Sequence, residues 1–294
     1  MHVLIIGCGY VGAALGTELT RLGHEVFGVT RTAEGDDALK SCGIHPFRGD
    51  VTQRATLDSL PGPFDWIVNT VSSSKGGLAE YKQAYLEGTR NLLDWLAAAP
   101  PKKFVYTSST SVYGQTDGSQ VKESSPTEPA SETSQVLVAA EKLLTDAARE
   151  KKFPAVILRV AGIYGPERGH LFLQYLKDEA KIAGRGERLI NMIHRDDLVN
   201  CIVAALKSGR PGEIYNAVDD EPVPQIHFFR WLSETLGKSM PPFVPEAEAS
   251  KRGATQKKVL NRKLRMELGC PLRYPTYRQG YTAEIQRLQD AGLL

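Results

Sequence analysis

Long apolar runs are missing from this 294-residue chain. None reaches the roughly 20 residues that a helix needs to cross a bilayer, so no membrane span is expected. Cysteine is scarce: Cys8, Cys42, Cys201 and Cys270 stand far apart. No pair has metal-ligand spacing and no disulfide framework can be read from them, so they are expected to be reduced thiols of a cytoplasmic protein. The six histidines are scattered, without a His-x-x-x-His pair, and no metal site is expected. Excess charge is missing too. The balance of +2 is too small to argue for nucleic acid or an anionic membrane as partner. The first apolar strand begins within two residues of Met1, so no signal peptide is expected. No internal repeat or low-complexity tract interrupts the chain.

What is present reads as an ordinary globular protein, 41% hydrophobic and 24% charged, long enough to bury a sizeable core. Apolar stretches alternate with amphipathic ones. HVLIIG (2–7), HEVFGVT (24–30), GIHPF (43–47), DWIVNTV (65–71), KKFVYTSS (102–109) and FPAVILRV (153–160) read as strands. Between them, VGAALGTELTRLG (11–23), a short segment around 35–41, LAEYKQAYLEGTRNLLDWLAAA (78–99) and the stretch from SETSQVLVAAEKLL (131–144) onward have helical spacing. The alternation predicts an α/β fold: a Rossmann doubly wound parallel sheet with a smaller C-terminal substrate-side region. After Pro166 the regularity fades. Helices are expected near 170–183, 196–207, 225–237 and 280–291, a strand at EIYNAV (213–218) and a loop at PPFVPEAEASKRG (241–253). The division is a nucleotide-binding domain over 1–166, to which 195–218 returns, and a substrate-side region over most of 167–294.

Gly7-Cys8-Gly9-Tyr10-Val11-Gly12 directly follows the first strand and opens the first helix. In that context G-x-G-x-x-G means a dinucleotide site. Gly7 permits a tight turn, Gly9 lets backbone amides approach a pyrophosphate, and Gly12 lets the helix pack close to the strand. The helix N-terminus, with Tyr10 and Val11, offers free N–H groups to the phosphates. Cys8 reads as a small residue that fits this turn. Thr30-Arg31 close the second strand, where an NAD site usually places an acid. An arginine there pairs with a 2′-phosphate and stacks on adenine, so NADP is expected ahead of NAD. Asp36 and Asp37 come later and start the next helix. Asp50-Val51 follow the third strand. Asp50 either accepts from the adenine amino group or caps the turn that follows.

Taken in order, Gly7 to Gly12, GDV (49–51), Gly88-Thr89-Arg90-Asn91-Leu92-Leu93, FVYTSSTSVYG (104–114), LRVAGIYGP (158–166) and IHRDDL (193–198) cover most of the chain. In this order the sequence resembles the extended short-chain dehydrogenase/reductase superfamily, of the sugar-nucleotide epimerase and dehydratase type. LGCPLRYPTYRQGY (268–281) is similar to the tail of an atypical epimerase-like branch. The resemblance implies that Thr70, Val71 and Ser72 line the far side of the cofactor, with Thr107 and Ser108 also beside it. It places Ser109 where a Ser or Thr polarises a substrate oxygen. It also implies a homodimer through helices 78–99 and 132–150.

Two positions depart from the pattern. That superfamily uses a tyrosine and a lysine four residues apart as acid/base and its activator. Alignment through Glu141 puts Thr133 and Leu137 there, and no tyrosine occurs between Tyr113 and Tyr164. An acid/base of this kind is worth about 10²–10⁴-fold. Gly162 stands where many sugar-nucleotide enzymes carry asparagine.

Other candidates follow from residue type. Tyr113 is a second catalytic candidate, or packs within its turn. Tyr164 is a candidate for the substrate cleft. His194 offers proton transfer toward a substrate, or caps the helix after it. Arg159 reads as a buried pairing arginine. Lys251, Arg252, Lys257, Lys258, Arg262, Lys263 and Arg265 form a basic cluster that meets an anionic substrate or is a solvated face. The chain is therefore expected to be an NAD(P)-binding oxidoreductase or epimerase-like enzyme acting on a small oxygenated substrate, with a sugar nucleotide as one option. The alternative is a non-catalytic NADP-binding sensor or regulatory protein.

Overall fold

Successive side chains of a strand point to opposite faces, so a strand that is apolar throughout must be covered on both sides. HVLII is such a strand. In the computed structural model, which describes residues 1–73, 76–245 and 255–294, it forms β1 (His2–Ile6) in the middle of a parallel sheet. β2 (Glu25–Thr30), β3 (Ile44–Arg48), β4 (Trp66–Asn69), β5 (Lys103–Ser109), β6 (Ala155–Val160) and β7 (Ile214–Ala217) complete it. The order across the sheet is β3-β2-β1-β4-β5-β6-β7. Every neighbouring pair is parallel, with Val3 opposite both Val26 and Trp66, and Ala217 opposite Val160. This is the doubly wound α/β fold that the strand–helix alternation predicts.

The helices are α1 (Tyr10–Arg21), α2 (Asp36–Ser41), α3 (running through Leu78–Tyr81, a π-helical Lys82–Glu87 and Gly88–Trp95), α4 (Glu132–Lys151), α5 (His170–Leu176), α6 (Arg195–Ser208), α7 (Gln225–Leu236), α8 (Arg262–Leu268) and α9 (Tyr277–Asp290). Val3 and Ile5 face a core shared with Leu15 of α1 and Leu198 and Ile202 of α6. Leu4 and Ile6 face the other layer, with Leu92 of α3 and Leu144 of α4. A separate, largely aromatic core holds Tyr164, Phe172, Phe228, Phe229, Tyr277 and Tyr281. It joins α5, α7 and α9 over the C-terminal side of the sheet.

Three expectations are corrected. The helix expected over 170–183 stops at Leu176, because Asp178 takes a left-handed φ of 60° and Ile182–Ala183 pairs as a short strand with Phe243–Val244. The helix expected to reach residue 99 ends at Trp95. Within the loop read over 241–253, Phe243–Val244 forms the partner of that short strand, and residues 246–253 lie outside the described residues. α8 was not foreseen. Within α3 the Thr89 hydroxyl donates to the Tyr85 carbonyl at 2.6 Å, a side-chain bond of the kind that competes with the i→i−4 ladder and accompanies local widening.

Candidate functional site

Open α/β sheets bind ligands outside the carboxyl ends of their strands, where the strand order reverses. Here that point lies between β1 and β4. The residues following β1, β2, β3, β4 and β6 and the last residues of β5 all line one cleft of about 1160 Å³. Gly7 is its floor. Its φ is +82°, and a Cβ there would stand 2.7 Å from the Val71 nitrogen, so only glycine fits. Thr70 donates from Oγ1 to the Gly7 carbonyl at 2.9 Å and fixes the turn. At Gly12 a Cβ would lie 2.8 Å from the same carbonyl and 3.0 Å from Ile5. Helix α1 can therefore sit against β1 only because residue 12 has no side chain. The helix has no side-chain cap and no acid in its first turn. Its first amides are thus left for an anion.

Of the residues singled out from sequence, Gly7, Gly9, Tyr10, Val11, Thr30, Arg31, Asp50, Val51, Thr70, Val71, Ser72, Thr107, Ser108 and Ser109 all line this cleft. Asp50 also caps its turn, accepting from the Thr52 amide at 2.9 Å. Asp36 does start α2, and it pairs with Arg48, whose guanidinium also donates to Thr30 Oγ1 at 2.8 Å. Burial raises the Cys8 thiol to about 12, which fits a packing residue rather than a nucleophile. Ser109 accepts from the Ser111 amide at 3.1 Å, so its own hydroxyl proton stays available to a ligand. Leu137 lines the cleft, whereas Thr133 does not and instead shares a 2.7 Å hydrogen bond with Ser131.

Three expected site residues lie elsewhere. Tyr113 is fully buried. Its hydroxyl donates to Asn216 at 2.8 Å and accepts from Arg159 at 2.9 Å, which leaves it no route to the cleft. Tyr164 stacks on Tyr281 at 4.3 Å inside the aromatic core. His194 is buried and caps α6 by accepting from the Asp196 amide at 3.2 Å; its Nε2 lies 3.6 Å from Glu284. Lys263 and Arg265 of the basic cluster are spent on Glu213 and Asp220, and Lys257 is buried under Tyr113. Lys251 and Arg252 lie outside the described residues.

The cleft also holds residues that sequence reasoning passed over: Tyr81 and Tyr85 from α3, Ser111, Ala161, Ile163, Leu198 and Arg168. A hint was available for the first two. At a spacing of four on one helix they fall on the same face, and their rings meet at 4.9 Å.

A glycine turn, an uncapped helix and a switch-point cleft together form a dinucleotide cradle, and the comparison with known families agrees. The family model for the NAD dependent epimerase/dehydratase family matches residues 3–217. The chain belongs to that family. The resemblance read from the ordered motifs is thereby borne out. Among its relatives, the Protein YeeZ of Escherichia coli (strain K12) is 29% identical over 280 residues, covering 93% of this chain and 96% of the relative. The dTDP-D-glucose 4,6-dehydratase of Homo sapiens is 33% identical over 144 residues, 47% of this chain and 41% of that enzyme. In structure, the dTDP-glucose 4,6-dehydratase DesIV of Streptomyces venezuelae, solved with NAD bound, overlays with a TM-score of 0.85 across 99% of this chain and 97% of its own, at 22% identity. That likeness is one of fold. Among the described residues no helix is long and apolar enough to cross a membrane, and no group of three or more His, Cys, Asp or Glu could hold a metal ion.

Proposed function

We propose that the protein binds a nicotinamide dinucleotide, NADP in preference to NAD, and acts as an oxidoreductase or epimerase-like enzyme on a small oxygenated substrate. The observation that carries the reading is the uncapped N-terminus of α1 opening behind Gly7 and Gly9 onto the cleft. A bound nicotinamide supplies the hydride chemistry. The chain's own residues hold and orient. The α1 amides take the pyrophosphate, Arg31 the adenosine end, and Ser109 donates to a substrate oxygen. NADP is favoured because Thr30-Arg31 close β2 without an acid and Asp36 is engaged by Arg48. Glu34 lines the same end of the cleft and favours NAD, which the family description and the DesIV complex also name. Titration with NADPH and NADH, repeated on Arg31→Asp, decides between them. Selective NADPH binding that Arg31→Asp abolishes supports NADP; equal or tighter NADH binding rejects it.

The position taken by Leu137 favours a second reading. A buried apolar side chain lines the cleft where the resemblance expects a lysine, which suits a dinucleotide sensor without turnover. Following NADPH absorbance against a panel of carbonyl compounds, sugar nucleotides included, separates the two. Turnover with any of them ends the sensor reading.

A further inference from the structure

Arg168 carries a charge that neither the sequence motifs nor the cradle described above accounts for. It lines the cleft, and its guanidinium carbon sits 4.9 Å from the centre of the Tyr10 ring. Tyr10 is the first residue of α1, the helix whose opening amides face the cleft. The stack is held from both sides. Tyr10 donates its hydroxyl proton to the Pro166 carbonyl at 3.0 Å, and Arg195 lies 5.3 Å from the ring. The turn bearing Arg168 is equally fixed. Gly165 and Arg168 exchange backbone hydrogen bonds of 2.9 and 3.1 Å, and Glu167 between them holds a left-handed φ of 61°. Among the described residues no carboxylate pairs with Arg168, whereas Arg195 is committed to Asp196 at 2.9 Å. A fixed arginine with no counter-ion among the described residues, beside amides that offer partial positive charge, is a receptor for an anion held between the two.

We infer that Arg168 clamps the pyrophosphate of the dinucleotide from the side opposite the glycine turn. This rests on the dinucleotide reading above. The arginine comes from the C-terminal side of the cleft and the amides from the sheet side. Binding then ties the two walls together through one phosphate group. Tyr10 becomes a positioning residue that aims the guanidinium, and Arg195 supports the ring without reaching the ligand.

The test is a set of dissociation constants for NADPH, NADH and ADP-ribose on the wild-type chain, Arg168→Ala, Arg168→Gln and Arg195→Ala, with the thermal transition of each variant as the check on folding. A charge-assisted contact of this kind implies a loss of roughly 10- to 100-fold. The loss should be alike for all three ligands, since all carry the pyrophosphate, and smaller in Arg195→Ala, which removes support from the Tyr10 ring but leaves the Arg168 guanidinium in place. A weakened dependence of affinity on salt in Arg168→Gln is also expected. Wild-type binding that both Arg168 variants keep within twofold overturns the clamp and leaves the dinucleotide site standing. A loss confined to NADPH moves Arg168 to the 2′-phosphate and also overturns it. A wild-type chain that binds none of the three overturns the dinucleotide reading itself.

Discussion

Arg159 and Glu141 meet in the interior through three hydrogen bonds of 2.7 to 3.1 Å, each side chain only 5% exposed. Glu141 also accepts from Ser108 at 2.6 Å, and Ser108 lines the cleft. Arg159 reaches on to Tyr113 at 2.9 Å, and Tyr113 to Asn216. The network therefore runs from the cleft wall on β5 across β6 to β7. Arg159→Met would leave the Glu141 carboxylate buried without its counter-ion. The expected loss is about 3–5 kcal/mol, and a double variant with Glu141→Leu should recover most of it. Urea unfolding midpoints measure both. A loss below 1 kcal/mol in the single variant would show the pair to be dispensable.

Two glycines of the nucleotide turn should separate folding from binding. Gly12→Ala drives a Cβ to 2.8 Å from the Gly7 carbonyl and 3.1 Å from Thr70 Oγ1. It should cost about 1–3 kcal/mol of stability as well as affinity. A Cβ at Gly9 meets nothing closer than 4.0 Å, yet Gly9 lines the cleft. Gly9→Ala should keep the unfolding midpoint and weaken dinucleotide binding at least tenfold, because the methyl group occupies the approach of the pyrophosphate. Unchanged affinity in Gly9→Ala would mean that the phosphates bind elsewhere.

Lys257 gives the protein a pH signature. Burial lowers its ammonium to about 8, with the Tyr113 carbonyl and Thr255 hydroxyl as its partners. The folded value lies below the unfolded one, so the unfolded chain binds more protons between about 8 and the ordinary lysine value. Stability contributed at this site therefore rises with pH across that window and is flat below it. Compared with Lys257→Met, the wild-type protein should gain in urea midpoint between pH 7.5 and pH 10. A difference that stays constant with pH would place the ammonium in an ordinary aqueous setting.

The cradle was legible in the sequence because its determinants are local. Gly7 to Gly12 sits between an apolar strand and a helix, and the turn and its place at the cleft follow from six adjacent residues. The same holds for Arg31, Asp50 and Ser109, each at the end of a strand whose direction the alternation already sets. The tyrosines were not legible. Whether Tyr113, Tyr164 or Tyr81 faces the cleft depends on Asn216, Tyr281 and Tyr85, partners that local spacing does not reveal for the first two. For His194 the capping reading holds, since it is local to α6, whereas its neighbour Glu284 could not be read from local spacing. Arg168 was missed for a related reason. Its meaning comes from Tyr10, 158 residues earlier in the chain.

The last strand of the sheet has a consequence for how this protein could be divided. β7 and the α6 helix before it come from beyond residue 190, yet Ile202, Tyr215 and Ala217 belong to the same apolar layer as Val3 and Ile5. A fragment ending at Pro166 would strip that layer and leave β6, buried along all six of its residues, as a bare sheet edge. Bare apolar edges pair with other chains. The nucleotide cradle is therefore not a detachable cassette. The sheet is complete only once the chain has run out through α5 and α6 and come back as β7, while α7 and α9 of the covering core follow it.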